Sequence, residues 1–453
     1  MLLIMHKLFG TDGIRGVANQ YPMTPEMAVI IGKAVALKFK STNRDSRIII
    51  GRDTRISCNM IEYALASGVC SMNVDVLLAG IAPTPAIAFL THSLKAAAGI
   101  VVSASHNPYY DNGIKVFDGS GYKLSDEAEN EIETLAMNNN LLCQNVTNND
   151  TGTVNHVEDP LVKYLEFLKN TMPLGFSLDG IKIVMDCSNG ATYKIAPLIF
   201  SGFGADVKLL NVNPDGKNIN DNCGSEHIES LSKKVLELKA DLGIAFDGDG
   251  DRLTAVDEKG NKISGDRMLA IIGIIMKKKN ILPNNHVVST IMSNMGLVAV
   301  FKEKGINHTM SQVGDRYVMQ EMIRTGSVIG GEDSGHIIFL NHQTTGDGIL
   351  TALKLMEFLK DESLPLSELG KIMKVFPQVL INVKVSKKPD INKIPQIKDA
   401  VKYVENILEE KGRVLIRYSG TQSICRVMVE GPSQDETDKL CRFLADKVKE
   451  YIG

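Results

Sequence analysis

Residues 98–117 have the sequence AGIVVSASHNPYYDNGIKVF, and the predicted fold depends on this stretch. Gly99–Val102 is a short apolar run rich in β-branched residues, which predicts a buried strand, and residues 103–108 are the polar loop that follows it. Ligands bind at the carboxyl ends of strands in open α/β sheets, where a serine beside a histidine can act as a nucleophile beside a proton-transfer group. A capping turn is the alternative, because Ser, Asn and Pro are common turn formers.

A second polar stretch, AFDGDGDR at residues 245–252, has aspartates at alternate positions. An extended backbone places Asp247, Asp249 and Asp251 on one side, where three carboxylates repel one another unless a cation lies among them. Mg²⁺ is the expected cation, because it takes hard oxygen ligands and often keeps a position for a phosphate.

Two other interpretations of these aspartates stay open from the residues alone. With Glu258 they match four positions of an EF-hand calcium loop, but Arg252 stands where that loop requires glycine. The flanking runs LGIAF and LTAV are also typical of strands rather than helices. A solvated acidic turn without a ligand is the second alternative.

Four loops in chain order resemble the signature loops of the α-D-phosphohexomutases. They are SASHNP at 103–108, DGDGDR at 247–252, GEDSGH at 331–336 and RYSGT at 417–421. FGTDGIRG at 9–16 and VGDRY at 313–317 make the chain similar to the bacterial phosphoglucosamine mutases within that superfamily. The resemblance covers essentially the whole chain.

Composition sets limits on the class of protein. With 453 residues, 44% of them apolar, the chain is long enough for about three domains. A net charge of -3 gives no general attraction to nucleic acid or to an anionic membrane surface. The seven cysteines are odd in number and form no C-x-x-C pair, which argues against a disulfide framework or a zinc site and indicates a reducing cytoplasm.

Strand-like runs alternate with helical patterns in three passes, which predicts three similar α/β/α units with mainly parallel mixed sheets. Beyond residues 364–377, strands follow one another without intervening helices, which predicts a smaller C-terminal α+β domain. We therefore expect four domains around a central cleft. They are residues 1–152 with the phosphoserine loop, 153–255 with the metal-binding loop, 256–367 with the sugar-recognition loop and 368–453 with a phosphate-binding loop.

The resemblance implies that Ser105 carries the phosphoryl group. Spacing alone does not choose between Ser105 and Ser103, because the two can face the same way along an extended loop. A phosphate on Ser105 supplies a further ligand oxygen for a cation held by the three aspartates. By resemblance, the catalytic residues that transfer protons or orient the phosphoserine are Arg15, His106, Lys115 and His336.

The substrate-binding residues implied by the resemblance lie in three loops. Arg252 can hold a phosphate oxygen, and the sugar is expected to meet Glu332 and Ser334. A second phosphate is expected at Arg417, Ser419, Gly420, Thr421 and Arg426, where hydroxyls, backbone N–H groups and guanidiniums combine.

The sequence departs from the family pattern in two places. Relatives usually continue Ser-Gly-Thr-Glu-Pro, whereas this chain has Gln422 and Ser423 at the last two positions, which affects loop stiffness and local charge. Cys58 stands where glycine is usual in the stretch RDTRISC at 52–58.

The resemblance implies an isomerase that converts glucosamine 6-phosphate to glucosamine 1-phosphate through a 1,6-bisphosphate, in the supply of UDP-N-acetylglucosamine and peptidoglycan precursors. It also implies Mg²⁺, a hexose 1,6-bisphosphate activator, a homodimer and a priming phosphorylation of Ser105, for example by a protein kinase. The alternatives are a phosphomannomutase or phosphoglucomutase of broad sugar specificity and a non-catalytic sugar-phosphate binding protein. No basic stripe supports a nucleic-acid partner, and no apolar run is long enough for a membrane span.

Overall fold

The structure, a computed structural model, describes residues 8–10, 12–40, 46–138, 150–418 and 423–453. By its internal contacts the chain divides into two units. The larger unit comprises Met1–Ile291 and Ile306–Lys371, and the smaller comprises Met292–Gly305 and Ile372–Gly453.

The first sheet of the larger unit has seven strands. They are β1 Phe9–Gly10, β2 Gly13–Val17, β3 Arg47–Arg52, β4 Asp75–Ile81, β5 Ala98–Val102, β6 Asp111–Asp118 and β7 Val154–His156. Their spatial order is β1-β2-β6-β5-β3-β4-β7, in which β5, β3, β4 and β7 are parallel and the other three strands are antiparallel to their neighbours. The strand predicted at Gly99–Val102 is therefore β5, and all five of its residues are buried.

Helices cover this sheet. They are α1 Pro25–Phe39, α2 Cys58–Cys70, α3 Thr84–Ser93 and α4 Asp126–Ala136, and the next helix, α5 Pro160–Asn170, packs against α3. Helix α1 begins where Thr24 accepts a hydrogen bond from the Met27 N–H, with Pro25 in the first turn, a combination that satisfies one free donor and fixes φ in advance. Apolar side chains of α1, α2 and α4 form one core with β3 and β5.

The second sheet has five strands in the order β12-β11-β10-β8-β9. Its elements are β8 Lys182–Asp186, α6 Ile195–Gly202, β9 Asp206–Leu210, α7 Glu229–Leu238, β10 Leu242–Phe246, β11 Leu253–Asp257 and β12 Lys262–Ile263. Strands β8, β9 and β10 are parallel, and β11 returns antiparallel beside β10. The turn between β10 and β11 is the aspartate-rich stretch.

The third sheet has four strands in the order β14-β13-β15-β16. Its strands and the helices around it in the larger unit are α8 Gly265–Lys278, β13 His286–Thr290, β14 Asn307–Ser311, α10 Asp315–Thr325, β15 Ile329–Gly331, β16 Ile337–Phe339, α11 Gly348–Glu362 and α12 Leu366–Leu369. The parallel strands β13, β14 and β15 end in the antiparallel β16, so this sheet, like the second, closes with a returning strand after its site loop.

The smaller unit has a three-stranded antiparallel sheet in the order β17-β19-β18. Its elements are α9 Met295–Glu303, β17 Gln378–Lys384, α13 Pro395–Leu408, β18 Arg413–Tyr418, β19 Ile424–Glu430 and α14 Gln434–Ile452. Apolar faces of α13 and α14 form a core with β17 and β19. The predicted fold class, three α/β units and a smaller α+β domain, is confirmed. Among the described residues, no helix has both the length and the hydropathy that crossing a membrane requires.

Two glycines allow α1 and α2 to cross closely. A Cβ atom on Gly32 of α1 would lie 2.4 Å from the carbonyl oxygen of Leu65, and one on Gly68 of α2 would lie 2.2 Å from that of Val29. Backbone faces backbone at both points, so a side chain at either position forces the helices apart.

We therefore expect Gly32→Ala and Gly68→Ala each to destabilise the protein by about 1–3 kcal/mol, the usual cost of overpacking a core. Calorimetric Tm values measure this. The control is Ser67→Ala, because Ser67 is the exposed neighbour of Gly68 and its hydroxyl bonds only the Tyr63 carbonyl of its own helix. Equal Tm values for the three variants would contradict the close-crossing account.

A buried carboxyl links α5 to the start of α11. Asp347 accepts from the Leu350 N–H over 2.9 Å and from the Tyr164 hydroxyl over 2.5 Å. Burial raises the pKa of Asp347 from 3.8 to about 6, although these hydrogen bonds favour the carboxylate.

This shift predicts how folding stability depends on pH. Because the folded state holds the proton more tightly than the unfolded state, the contribution of Asp347 is full below about pH 4 and is lost as pH rises through about 6. Asp347→Asn cannot titrate at this position. Between pH 4 and 7, we therefore expect its free energy of unfolding to rise by about 3 kcal/mol relative to that of the natural protein. Unfolding measured at several pH values tests this, and parallel stability profiles would show that the shift is absent.

Candidate active site

The loop that leaves β5 carries Ser105 into the interior of the larger unit. Ser105 is 1% exposed, and its φ of 53° lies in the left-handed region. Its hydroxyl donates to Oδ2 of Asp247 over 2.5 Å, and Nδ1 of His106 lies 3.4 Å from the same hydroxyl oxygen. The hydroxyl therefore has a carboxylate on one side and an imidazole on the other.

The structure gives Ser103 and Ser105 different surroundings. The Ser103 hydroxyl donates to Oδ2 of Asp53 over 2.6 Å and accepts from the Ser105 N–H over 2.9 Å. The same Asp53 oxygen accepts from Nε of Arg55 over 2.8 Å. Ser103 is thus engaged in holding the loop, whereas Ser105 faces the aspartates.

A fully buried arginine, Arg55, binds the main chain of this loop. Its guanidinium donates to four carbonyl oxygens, those of Ser105, Asn107, Pro108 and Asp111. The contacts to Ser105 and Asn107 are both 2.8 Å long. Arg55 is not among the predicted site residues, and the signal that could find it is its place in the stretch 52–58.

The departure at Cys58 lies beneath the same network. Its thiol is buried, donates to Oδ1 of Asp53 over 3.0 Å and lies 3.4 Å from the Asn112 amide nitrogen. Burial, and then the Asp53 carboxylate, raise the pKa of Cys58 well above its usual value. The residue therefore acts as a neutral donor to the carboxylate that holds Ser103. All six cysteines in the described part of the chain are free thiols.

The three aspartates lie in the turn between β10 and β11. One carboxylate oxygen from each of Asp247, Asp249 and Asp251 lies within 4.8 Å of the others, and all three residues are buried. Strands on both sides show that the EF-hand alternative is wrong, because that site lies between helices. Burial also contradicts the solvated acidic turn.

The surroundings of these carboxylates fit a divalent cation. Oδ1 of Asp249 and Oδ1 of Asp251 are buried and have no hydrogen-bond partner, and a buried acceptor without a partner is costly. Burial, and then the charges of Asp251 and Asp249, raise the pKa of Asp247 well above its usual value. Carboxylate oxygens are the ligands that Mg²⁺ prefers, so the cluster can hold a metal ion.

Lys115 and Arg15 come from the paired strands β6 and β2. The Lys115 ammonium lies 2.8 Å from Oδ2 of Asp249, 3.2 Å from Oδ2 of Asp251 and 3.2 Å from Oδ2 of Asp12. Burial opposes its charge, but these carboxylates hold the pKa of Lys115 well above its usual value. Arg15 pairs with Asp12 and donates to the Ala104 carbonyl over 3.4 Å, so it lies beside the Ser105 loop.

Alternating charges continue from Lys115 into the third sheet. Lys123 lies 2.6 Å from Oδ1 of Asp12 and also pairs with Asp315. Nε2 of His336 accepts from the Gly346 N–H over 3.2 Å and lies 3.5 Å from Oδ2 of Asp315 and 4.0 Å from Oδ2 of Asp251. Sequence reasoning missed Asp12, Lys123 and Asp315, although Asp12 and Asp315 lie inside quoted motifs.

Several buried polar atoms near the aspartates have no hydrogen-bond partner. Nε of Arg252, Oγ of Ser334 and Nδ1 of His336 are buried without a hydrogen bond. Glu332 accepts from the Gly314 N–H over 3.0 Å, and burial raises its pKa. Burial, and then the charge of Arg252, lower the pKa of His106 to about 4.

In the smaller unit, the two predicted arginines face each other across paired strands. Arg417 of β18 is the register partner of Arg426 of β19. Burial, and then the charge of Arg426, lower the pKa of Arg417. Two adjacent guanidiniums can hold an anion between them. Ser419, Gly420, Thr421 and the departure at Gln422 lie outside the described residues.

Four family domains match the chain. They are described as phosphoglucomutase/phosphomannomutase alpha/beta/alpha domain I (residues 6–141), domain II (162–260) and domain III (264–376), and the C-terminal domain (380–447).

Solved structures with the same fold are phosphohexomutases. A phosphoglucomutase/phosphomannomutase family protein from Burkholderia thailandensis superposes with a TM-score of 0.81 at 23% identity, over 98% of this chain and 97% of that one. N-acetylphosphoglucosamine mutase from Aspergillus fumigatus, solved in complex with GlcNAc-6P and magnesium, gives a TM-score of 0.67 at 17% identity, over 98% of this chain and 95% of that one.

Curated relatives are more similar in sequence. Phosphoglucosamine mutase of Syntrophus aciditrophicus is 54% identical over 451 residues, which are 99% of this chain and 100% of the relative. Phosphoglucosamine mutase of Syntrophobacter fumaroxidans is 54% identical over 449 residues, again 99% and 100% of the two chains. The chain therefore belongs to the phosphoglucomutase/phosphomannomutase family, and within it to the phosphoglucosamine mutases.

Proposed function

We propose that this enzyme interconverts glucosamine 6-phosphate and glucosamine 1-phosphate through phospho-Ser105. The observation that carries the proposal is the position of the Ser105 hydroxyl, which contacts Asp247 beside the unpartnered oxygens of Asp249 and Asp251. Relatives named phosphoglucosamine mutase, 54% identical over nearly the whole chain, support the choice of sugar.

In the first step, the bond between Oγ of phospho-Ser105 and phosphorus breaks as a bond forms from phosphorus to O1 of the sugar. The O1 proton passes to a protein base, for which His106 is the candidate because its Nδ1 lies 3.4 Å from Oγ, and the base then gives a proton to the departing Oγ. The 1,6-bisphosphate then reorients, and a bond forms from Ser105 Oγ to the 6-phosphorus as the O6–P bond breaks. Oγ gives its proton to the base, and O6 takes a proton from it. Glucosamine 1-phosphate is left as product.

The chain's own charges support this transfer. Phosphoryl transfer depends mostly on positioning and on neutralising charge. Lys115 brings an ammonium to the site, and Arg15 lies beside the Ser105 loop. Mg²⁺, held by the three aspartates and the phosphate on Ser105, would act as a Lewis acid on the phosphoryl group.

The remaining predicted residues bind the substrate in this proposal. Glu332, Ser334 and His336 meet the sugar, and Arg252 meets a phosphate. Unpartnered buried atoms on Ser334, His336 and Arg252 support these assignments. The second phosphate is assigned to Arg417, Ser419, Gly420, Thr421 and Arg426.

The four domains proposed from the sequence, 1–152, 153–255, 256–367 and 368–453, each carry one of these loops. A cytoplasmic location, a homodimer, priming of Ser105 by a kinase and a hexose 1,6-bisphosphate activator complete the proposal. The activator would restore phospho-Ser105 whenever the bisphosphate intermediate escapes.

Ser105→Ala is expected to abolish phosphate incorporation from glucosamine 1,6-bisphosphate and to lower kcat by at least about a thousandfold, because the group that carries the phosphoryl is gone. Intact-mass spectrometry and a coupled assay measure both. The matched variant Ser103→Ala should still accept one phosphate at Ser105. Turnover by Ser105→Ala at the natural rate would end the proposal.

A carboxylate facing a 2-ammonium group should favour the amino sugar. We expect kcat/KM for glucosamine 6-phosphate to exceed those for glucose and mannose 6-phosphates about a hundredfold, equivalent to about 2.7 kcal/mol. Glu332→Gln should narrow this ratio, whereas Asp333→Asn, at the exposed neighbouring position, should keep it. Comparable values for the three sugars in the natural enzyme would instead indicate a broad phosphohexomutase.

A further inference from the structure

The two oxygens of Asp249 have different surroundings. Oδ2 accepts from the Thr84 hydroxyl over 2.6 Å and from the Lys115 ammonium over 2.8 Å. Oδ1 is buried and has no hydrogen-bond partner. Only one oxygen of this carboxylate is therefore available to a cation.

Thr84 holds the metal loop through two contacts. It is the first residue of α3, follows Pro83 and is fully buried. Its backbone N–H donates to the Asp249 carbonyl over 2.8 Å, while its hydroxyl binds the Asp249 carboxylate. Thr84, at the start of a helix that packs on the first sheet, thus fixes both the main chain and the side chain of Asp249.

The other two aspartates differ from each other. Asp251 resembles Asp249, whereas Asp247 contacts Ser105 in the loop after β5. Oδ2 of Asp251 lies 3.2 Å from the Lys115 ammonium, and its Oδ1 has no hydrogen-bond partner, although Nε of Arg252 lies 3.9 Å away. Asp247 contacts Ser105 through Oδ2 and accepts from the Arg252 N–H through Oδ1 over 3.2 Å. Asp249 and Asp251 therefore each keep one oxygen without a hydrogen bond, whereas both oxygens of Asp247 accept one.

Single oxygens distinguish between cations. Mg²⁺ requires near-octahedral geometry with short bonds of about 2.0–2.1 Å and takes one oxygen from each carboxylate, whereas Ca²⁺ accepts six to eight ligands and often binds both oxygens of one carboxylate. The Thr84 hydroxyl and the Lys115 ammonium both occupy Oδ2 of Asp249, and the hydroxyl hinders two-oxygen binding without adding charge. The partners of ligating carboxylates typically change metal affinity 10–100-fold when removed.

We propose that Thr84 is a positioning residue that turns Asp249 so that it binds a cation through Oδ1 alone, and that this makes the site prefer Mg²⁺ over Ca²⁺. The inference rests on the proposed function, because it concerns the same metal site. It adds a residue outside the four loops, at the start of a helix in another α/β unit.

The variants are Thr84→Val, which removes the hydroxyl at nearly constant volume, and Thr84→Ser, which keeps it. The matched control is Thr91→Val, because Thr91 is buried in the same helix and its hydroxyl bonds only the Ile87 carbonyl of that helix. Each full-length protein is charged with glucosamine 1,6-bisphosphate, freed of metal with a chelator, and checked for equal phosphate on Ser105 by intact mass.

Binding of Mn²⁺ is then followed by its electron paramagnetic resonance signal, and Mg²⁺ or Ca²⁺ is added to displace it. We expect Thr84→Val to weaken Mg²⁺ binding about 10–100-fold and to lower the ratio of Ca²⁺ to Mg²⁺ dissociation constants about tenfold. Thr84→Ser and Thr91→Val should keep both values near those of the natural protein.

The ratio is measured on the folded fraction of each sample, so partial unfolding of a variant does not produce the expected change. An unchanged ratio in Thr84→Val overturns the inference while leaving the proposed function intact. No binding of Mn²⁺ by the natural protein would instead overturn the metal assignment on which both depend. Loss of selectivity in Thr91→Val equal to that in Thr84→Val would assign the effect to α3 packing and also overturn the role of Thr84.

Discussion

The site depends on the ion pairs that the buried ammonium of Lys115 makes with the aspartates. Three aspartates cannot remain charged together in the interior without positive neighbours, because burial and mutual repulsion both favour protonation. Lys115 lies within 3.2 Å of two of them and of Asp12. A series of ion pairs connects side chains from three sheets, in the order Asp251, Lys115, Asp12, Lys123 and Asp315. Because Lys115, Asp12 and Lys123 each pair with opposite charges on both sides, the three α/β units of the larger unit meet through the groups that would bind the substrate.

In each of the three sheets of the larger unit, a loop at the end of one strand carries residues of the candidate site. The loop after β5 supplies Ser105, the turn between β10 and β11 supplies the aspartates, and the turn between β15 and β16 supplies Glu332 and His336. Positioning residues lie outside these loops: Arg55 binds main-chain oxygens of the first, and Thr84 binds one carboxylate of the second. Rigid support of this kind reduces the reorganisation that phosphoryl transfer would otherwise require.

Much of this was predictable from the sequence, because short-range patterns carry it. The apolar run at Gly99–Val102 is the buried β5, and alternate aspartates do share one side. Helices α1 and α11 were not predicted. The ion pairs of Lys123 were not predicted either. Its partners are 111 and 192 residues away along the chain, and only the packing of the sheets brings them together. The stretch 52–58, which contains Arg55, drew attention, but the role of Arg55 was not predicted, because most of its hydrogen-bond partners are main-chain carbonyl oxygens of a loop that is distant in sequence.

The left-handed backbone at Ser105 has a consequence for the choice of amino acid. Threonine carries the same hydroxyl and accepts phosphoryl groups equally well in principle, yet a β-branched residue at φ of 53° is strained by contacts between its Cγ atom and its own main chain. Such strain costs of the order of 1–3 kcal/mol. Backbone conformation, rather than the chemistry of the hydroxyl, therefore selects serine over threonine at the position proposed to carry the phosphoryl group.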